Sequence, residues 1–136
     1  MSNSIERVAV IGAGQMGAGI AEVSARAGVE VLVYEPTEEL TAAGKARITK
    51  SLERGVSTGK ITERERDQAL ANLRFTTELK DLADRQLVIE AVIEDETVKG
   101  KIFAALDEII ADPDAVLASN TSSIPIMKLA RATRRE

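Results

Sequence analysis

Short apolar runs alternate along the chain with longer stretches in which apolar residues recur every three or four positions. The apolar runs have the length and composition of strands, and they cover residues 5–11, 29–34, 74–77, 87–92 and 115–118. The longer stretches are predicted to be helices, and they cover residues 15–27, 37–55, 62–72, 96–111 and 125–132. Strands that alternate with helices are typical of an α/β fold with a doubly wound, mostly parallel sheet, here in a single domain of residues 1–136.

Apolar spacing also predicts which helix faces are buried. In the first helix the expected core face consists of Met16, Ile20, Val23 and Ala27. The second helix is expected to be a solvent-facing element along Leu40, Ala43 or Gly44, Arg47 and Ser51–Leu52. Gly28 is expected to end the first helix. Thr62 and Glu65 have the spacing of a capping box, which predicts the start of the third helix.

The first predicted strand leads directly into a glycine-rich turn, Gly12-Ala13-Gly14-Gln15-Met16-Gly17, which opens a helix. In this GxGxxG pattern Gly12 allows a tight turn, Gly14 lets the backbone approach a pyrophosphate, and Gly17 lets the helix pack close to the strand. The first N–H groups of a helix have no intrahelical partners, so an anion is favoured there. The pattern therefore predicts a dinucleotide-binding Rossmann fold.

An acidic residue, Glu35, ends the second predicted strand, close to the spacing of the acid that binds the ribose 2′-hydroxyl. A carboxylate there accepts hydrogen bonds from a diol and repels a 2′-phosphate. Residues 36–39 contain no cation that could pair with such a phosphate, so the sequence predicts NAD rather than NADP. A glycine turn that only serves packing is the alternative, but it leaves Glu35 unexplained.

Composition narrows the possible functions. The net charge of −4 and the scarcity of aromatic residues, one tyrosine and two phenylalanines, argue against nucleic-acid binding. No apolar run is long enough for a membrane span, and the first residues lack the pattern of a signal peptide, so a cytoplasmic location is expected. With no cysteine and no histidine, the sequence lacks thiolate chemistry, an imidazole base and the usual zinc ligands.

Three segments resemble the N-terminal domain of the 3-hydroxyacyl-CoA dehydrogenase family, which includes bacterial 3-hydroxybutyryl-CoA dehydrogenases. The first is Val8 to Ala21, around the glycine turn. The second is Leu87 to Asp95, followed by Val98 and Lys99. The third, Leu117 to Ile124, contains the string Ala-Ser-Asn-Thr-Ser-Ser and is the most specific.

The resemblance implies a role for individual residues. The positions that match cofactor contacts are Gly12, Ala13, Gly14, Gln15, Met16, Gly17, Glu35, Glu94, Lys99 and Ser122. Ser122 also matches a serine that touches the substrate near the reacting carbon. Ser51 matches a coenzyme A contact, and Lys60 matches another with a slip of one or two residues. Glu35 stands where most of the family carries Asp, which keeps the charge.

The activity that the resemblance implies is the reversible oxidation of (3S)-3-hydroxyacyl-CoA to 3-oxoacyl-CoA, with NAD as the hydride acceptor. In the family a histidine, oriented by a glutamate, takes the hydroxyl proton, and it lies just beyond the helix in which this sequence ends. We therefore expect a domain truncated before a C-terminal helical domain that makes the homodimer. It should bind NAD without turnover, with acyl-CoA as partner and neither nucleic acid nor membrane.

Two alternatives stay open on the sequence alone. One is a non-catalytic NAD-sensing module that uses the same fold for regulation. The other is the cofactor domain of a different hydroxyacid dehydrogenase family. A reading frame that continues into a histidine-bearing strand would favour the enzyme, whereas a ligand complex without coenzyme A contacts at Ser51, Lys60 or Ser122 would favour the other family.

Overall fold

A computed structural model of the chain describes residues 6–91, 96–110 and 115–119. The strands in this part are β1 Arg7–Ile11, β2 Glu30–Tyr34, β3 Leu73–Thr76, β4 Leu87–Glu90 and β5 Val116–Ser119. The helices are α1 Gln15–Arg26, α2 Glu38–Ser57, α3 Glu63–Ala71 and α4 Glu96–Ile109, with a short 3-10 helix at Leu79–Leu82. The predicted last helix, residues 125–132, lies outside the described residues.

The five strands form one sheet in the order β3-β2-β1-β4-β5, and every neighbouring pair is parallel. Strand β1 is central, and its Val10 pairs with Val33 of β2 and Ile89 of β4. The chain adds β2 and then β3 on one side of β1, and later adds β4 and then β5 on its other side. This confirms the predicted doubly wound parallel sheet, and it places the switch of direction between β1 and β4, where such sheets bind ligands.

Apolar side chains bury both faces of the sheet, in agreement with a parallel sheet covered by helices. On one face, Val10 and Val33 pack in a cluster with Ile48 and Leu52 of α2 and with small residues of α1. On the other face, the cluster consists mainly of Ala9, Ile11, Leu32, Leu82, Val88, Leu106 and Ile110. Each large side chain buried in this way contributes about 1.5–3 kcal/mol.

The predicted core face of α1 is wrong except at Ile20, which is partly buried and packs against the core. Met16 and Val23 are 59% and 66% exposed, and Ala27 is exposed as well. The buried positions are instead the small residues Gly17, Ala18, Ala21 and Ala25. Close approach of the helix to the sheet decides the face, because a helix that sits against the glycine turn at Gly17 has room only for small side chains.

The solvent-facing interpretation of α2 is correct where the helix is exposed, as at Arg47, and wrong at Leu52, which is buried. Leu40 is 45% exposed as expected, but Leu52 and Ile48 are almost fully buried. The buried stripe runs through Gly44, Ile48 and Leu52, at intervals of four residues. The periodicity therefore indicated a helix and most of its outer face correctly, while the buried stripe had no counterpart in the sequence prediction.

Local signals at the helix ends were more reliable. The side chain of Thr62 accepts the Glu65 N–H at 3.1 Å, and the Glu65 carboxylate accepts the Thr62 N–H at 2.9 Å, so the predicted capping box is confirmed. Gly28 follows α1 with a φ of +89°, a conformation that favours glycine. The 3-10 helix between β3 and β4 had no counterpart in the sequence prediction.

Candidate functional site

The glycine turn lies at the carboxyl ends of the central strands. Gly12 follows β1 with a φ of +99°, which a residue with a side chain rarely adopts. Its N–H donates to the carbonyl of Tyr34 at 2.9 Å, and the N–H of Ala91 donates to the carbonyl of Ile11 at 2.8 Å. The turn is thereby fixed between the ends of β2 and β4, at the point where the sheet changes direction.

The glycines of the turn have different surroundings, and these fit a bound pyrophosphate. A Cβ added to Gly17 would lie 1.8 Å from the carbonyl oxygen of Gly12, so this position must be glycine for the helix to pack. A Cβ added to Gly14 would meet nothing within 4 Å. The space above Gly14 is therefore open to a ligand, and the first turn of α1 contains no acid that would repel an anion.

Glu35 is linked directly to the glycine turn. Its Oε2 accepts the N–H of Ala13 at 2.8 Å. The other oxygen, Oε1, has no hydrogen-bond partner among the described residues, so it is available to a ribose hydroxyl. Burial first, and then the negative charges of Glu35 and Glu78, raise the pKa of Tyr34. The end of β2 is therefore a negative environment, suited to a diol and unfavourable for a phosphate.

A cation that the sequence reasoning assigned to solvent contacts the same turn. Nη1 of Arg47 donates to the carbonyl of Ala13 at 2.9 Å. Residues 36–39, which directly follow Glu35, contain no cation, whereas Arg47 reaches the turn from the third turn of α2. The sequence signal that could have indicated this contact is Gly44. A glycine on a helix face allows close packing, so a residue three positions further on the same face also lies near the turn.

The remaining predicted site residues are only partly described. Ser51 is half-buried on α2, one turn after Arg47, and Lys60 is exposed in the loop after α2. Neither side chain makes a hydrogen bond or ion pair with a described residue. Glu94 and Ser122 lie outside the described residues, and of Lys99 only the helical backbone is described.

In the described part of the chain no helix has the length and apolar character to cross a membrane.

The parallel sheet, the glycine turn at its switch point and an acid hydrogen-bonded to that turn define a dinucleotide-binding domain of the dehydrogenase type. Residues 7–136 match the family described as 3-hydroxyacyl-CoA dehydrogenase, NAD binding domain. The chain belongs to this family, and its cofactor is NAD. Both the resemblance noted in the sequence and the predicted cofactor are confirmed.

Relatives of the chain carry related names. The chain is 72% identical over 135 residues to a 3-hydroxybutyryl-CoA dehydrogenase of Mycobacterium tuberculosis. The aligned part covers 99% of this chain and 47% of that protein. The crystal structure of M. tuberculosis FadB2 superposes with a TM-score of 0.96 at 71% identity, covering 98% of this chain and 47% of that one.

A more distant solved structure has the same fold. The 3-hydroxybutyryl-CoA dehydrogenase of Escherichia coli superposes with a TM-score of 0.93 at 39% identity, covering 97% of this chain and 28% of that one. The chain thus spans about half the length of the M. tuberculosis relatives and less of the E. coli protein.

Proposed function

We propose that this chain is the cofactor-binding part of an oxidoreductase that interconverts (3S)-3-hydroxyacyl-CoA and 3-oxoacyl-CoA. The observation that carries the proposal is the geometry of the glycine turn, with its open Gly14 and with Glu35 bonded to Ala13 at 2.8 Å. Family membership supports the acyl-CoA substrate. The relatives named 3-hydroxybutyryl-CoA dehydrogenase favour a short acyl chain.

Residues at the carboxyl edge of the sheet would hold the cofactor. Gly12, Gly14 and the first N–H groups of α1 would bind the pyrophosphate, and Glu35 would bind the adenosine ribose. Bound NAD supplies the hydride acceptor. We assign the nicotinamide end to Glu94 and Lys99.

On the substrate side, we propose that Ser122 orients the reacting oxygen, because a serine without a neighbouring base is a poor nucleophile. Ser51 and Lys60 are proposed to contact coenzyme A. The half-buried position of Ser51 and the exposure of Lys60 are compatible with contact to a ligand.

The proton acceptor is the missing element. Oxidation of a hydroxyl needs a base near its proton, and this 136-residue sequence contains no histidine. We therefore propose that the chain by itself binds NAD without turning over substrate. A cytoplasmic location and a role in fatty acid oxidation stay predictions from the sequence.

Two measurements on the purified chain test the proposal. Calorimetry with NAD should show one binding site, and titration with NADP should show weaker binding. An assay with acetoacetyl-CoA and NADH should show no oxidation of NADH above the background. Absence of NAD binding would refute the cofactor role, and robust turnover would refute the argument from the missing base.

The two alternatives differ in the support they have. The family match argues against a different hydroxyacid dehydrogenase. An NAD-sensing module predicts NAD binding with no affinity for acetoacetyl-CoA, so the same calorimetric titration with this ligand separates it from the enzyme.

A further inference from the structure

Helix α2 contacts the glycine turn at two positions that lie three residues apart. A Cβ added to Gly44 would come within 2.3 Å of the Cβ of Ala13, so the helix rests directly on that residue. Nη1 of Arg47 donates to the carbonyl of Ala13 at 2.9 Å. Residues three apart share a helix face, so packing and the hydrogen bond act at the same place.

The peptide groups on both sides of Ala13 are therefore held from outside the turn. Glu35 at the end of β2 accepts the N–H of Ala13 at 2.8 Å, while Arg47 from α2 donates to its carbonyl. Ala13 itself is fully buried. The flanking residues Gly12 and Gly14 have more backbone freedom than any other residue type, so contacts of this kind decide where the turn is held.

We propose that Arg47 is a cofactor-positioning residue, which holds the carbonyl of Ala13 so that Gly14 and the first N–H groups of α1 face the pyrophosphate of NAD. Arg47 acts on the cofactor through the carbonyl of Ala13, and Glu35 remains the residue assigned to the ribose. Arg47 makes no ion pair with any described carboxylate, so its charge adds to the positive end of α1. The proposal rests on NAD binding by this chain.

The test compares neutral variants of Arg47 with a matched variant of Arg54, an exposed arginine on the same helix that makes no side-chain hydrogen bond with a described residue. Arg47→Met keeps the aliphatic stem, and Arg47→Gln is a second neutral variant that helices tolerate. Both should weaken NAD and ADP-ribose binding by roughly 10-fold, the effect of losing one hydrogen bond to a charged group. Arg54→Met should leave both affinities unchanged.

Adenosine separates positioning from general structural damage, because it has no pyrophosphate. If Arg47 positions the turn, adenosine affinity should change by less than about twofold while NAD and ADP-ribose lose roughly 10-fold. Arg47→Lys, which keeps the charge and a donor, should lie between the parent and the neutral variants. If neither neutral variant folds, Arg47→Lys takes their place in the test, and its affinities for NAD, ADP-ribose and adenosine are compared in the same way.

Three results would overturn the proposal. They are NAD binding by a folded neutral variant within about twofold of the parent, an equal loss in Arg54→Met, and an equal loss for adenosine. A parent chain that does not bind NAD at all would instead refute the proposed function, so the two failures are distinguishable.

Discussion

Replacement of Gly17 by alanine tests whether the glycine turn and α1 are packed as closely as the structure shows. The new methyl carbon would lie 1.8 Å from the carbonyl oxygen of Gly12 and 2.8 Å from its carbonyl carbon. Both atoms belong to the backbone, so no side-chain rotation can relieve the contact. The turn or the helix must move by more than about 1 Å to reach an ordinary van der Waals distance.

The expected cost follows from two opposing effects. Overpacking of this kind costs about 3 kcal/mol when backbone must move. Alanine in a helix returns about 1 kcal/mol relative to glycine, so a net loss near 2 kcal/mol remains. For a domain of this size that corresponds to a melting temperature lower by roughly 6–10 °C. Displacement of the turn should also weaken NAD binding.

Two glycines of the same segment provide matched controls. Gly19 lies in α1 with nothing within 4 Å of an added Cβ, so Gly19→Ala should raise stability by about 0.5–1 kcal/mol. Gly14 is also open, so Gly14→Ala should change stability by less than about 1 kcal/mol. Its methyl group would nevertheless occupy the space assigned to the pyrophosphate, so NAD affinity should fall strongly.

Thermal unfolding and NAD calorimetry on the three variants decide the matter. A Gly17→Ala protein as stable as Gly19→Ala would refute the close packing of the turn. Unchanged NAD affinity in Gly14→Ala would show that the cofactor does not pass over this residue.

Three further predictions concern charge. Glu35→Gln keeps an acceptor for the Ala13 N–H but removes the negative charge, so the preference for NAD over NADP should fall roughly 10-fold by calorimetry. The hydrogen bond from Arg85 holds the pKa of Asp84 below its ordinary 3.8, so this pair stabilises the fold above that pH and the contribution is lost as the pH falls below it. Urea unfolding of Arg85→Met should therefore show a smaller loss of stability in acid than the parent, although Arg7 still lowers the pKa of Asp84. The difference is under about 1 kcal/mol because Asp84 is mostly exposed, and an equally steep loss in the variant would contradict the assignment. Lys60→Ala should weaken acetoacetyl-CoA binding by about threefold while Lys50→Ala does not, and equal effects would remove Lys60 from the site.

Local chemistry made much of the fold predictable. The GxGxxG turn, the capping box at Thr62 and the apolar strand runs are signals that a few neighbouring residues carry, and the structure follows them. Strand boundaries agree within one or two residues where they are described, as for Leu73–Thr76 against the predicted 74–77. The parallel order followed because helices separate the strands.

Contacts between residues that lie far apart in the sequence could not be predicted from local patterns. The spacing of apolar residues in α1 pointed to Met16 and Val23 as core, but the required closeness at Gly17 turned the face of small residues inward. Arg47 and Ala13 are 34 positions apart, and only the packing of α2 on the turn brings them together. Periodicity identifies a helix, whereas the distance between two backbones selects the face that it buries.

Two groups of polar contacts lie at opposite ends of the central strands, and this separation has a functional consequence. Arg85 joins Glu30 at 2.8 Å and Asp84 at 2.9 Å, where β2 and β4 begin. Glu35 and Arg47 hold Ala13 where β1 and β2 end. The five residues of β1 set the two groups about 15 Å apart, which exceeds the screening length of about 8 Å at physiological salt. Arg85→Met should therefore weaken the fold without changing the NAD affinity of the molecules that remain folded, and Glu35→Gln should leave the contribution of Asp84 to the acid dependence of unfolding intact.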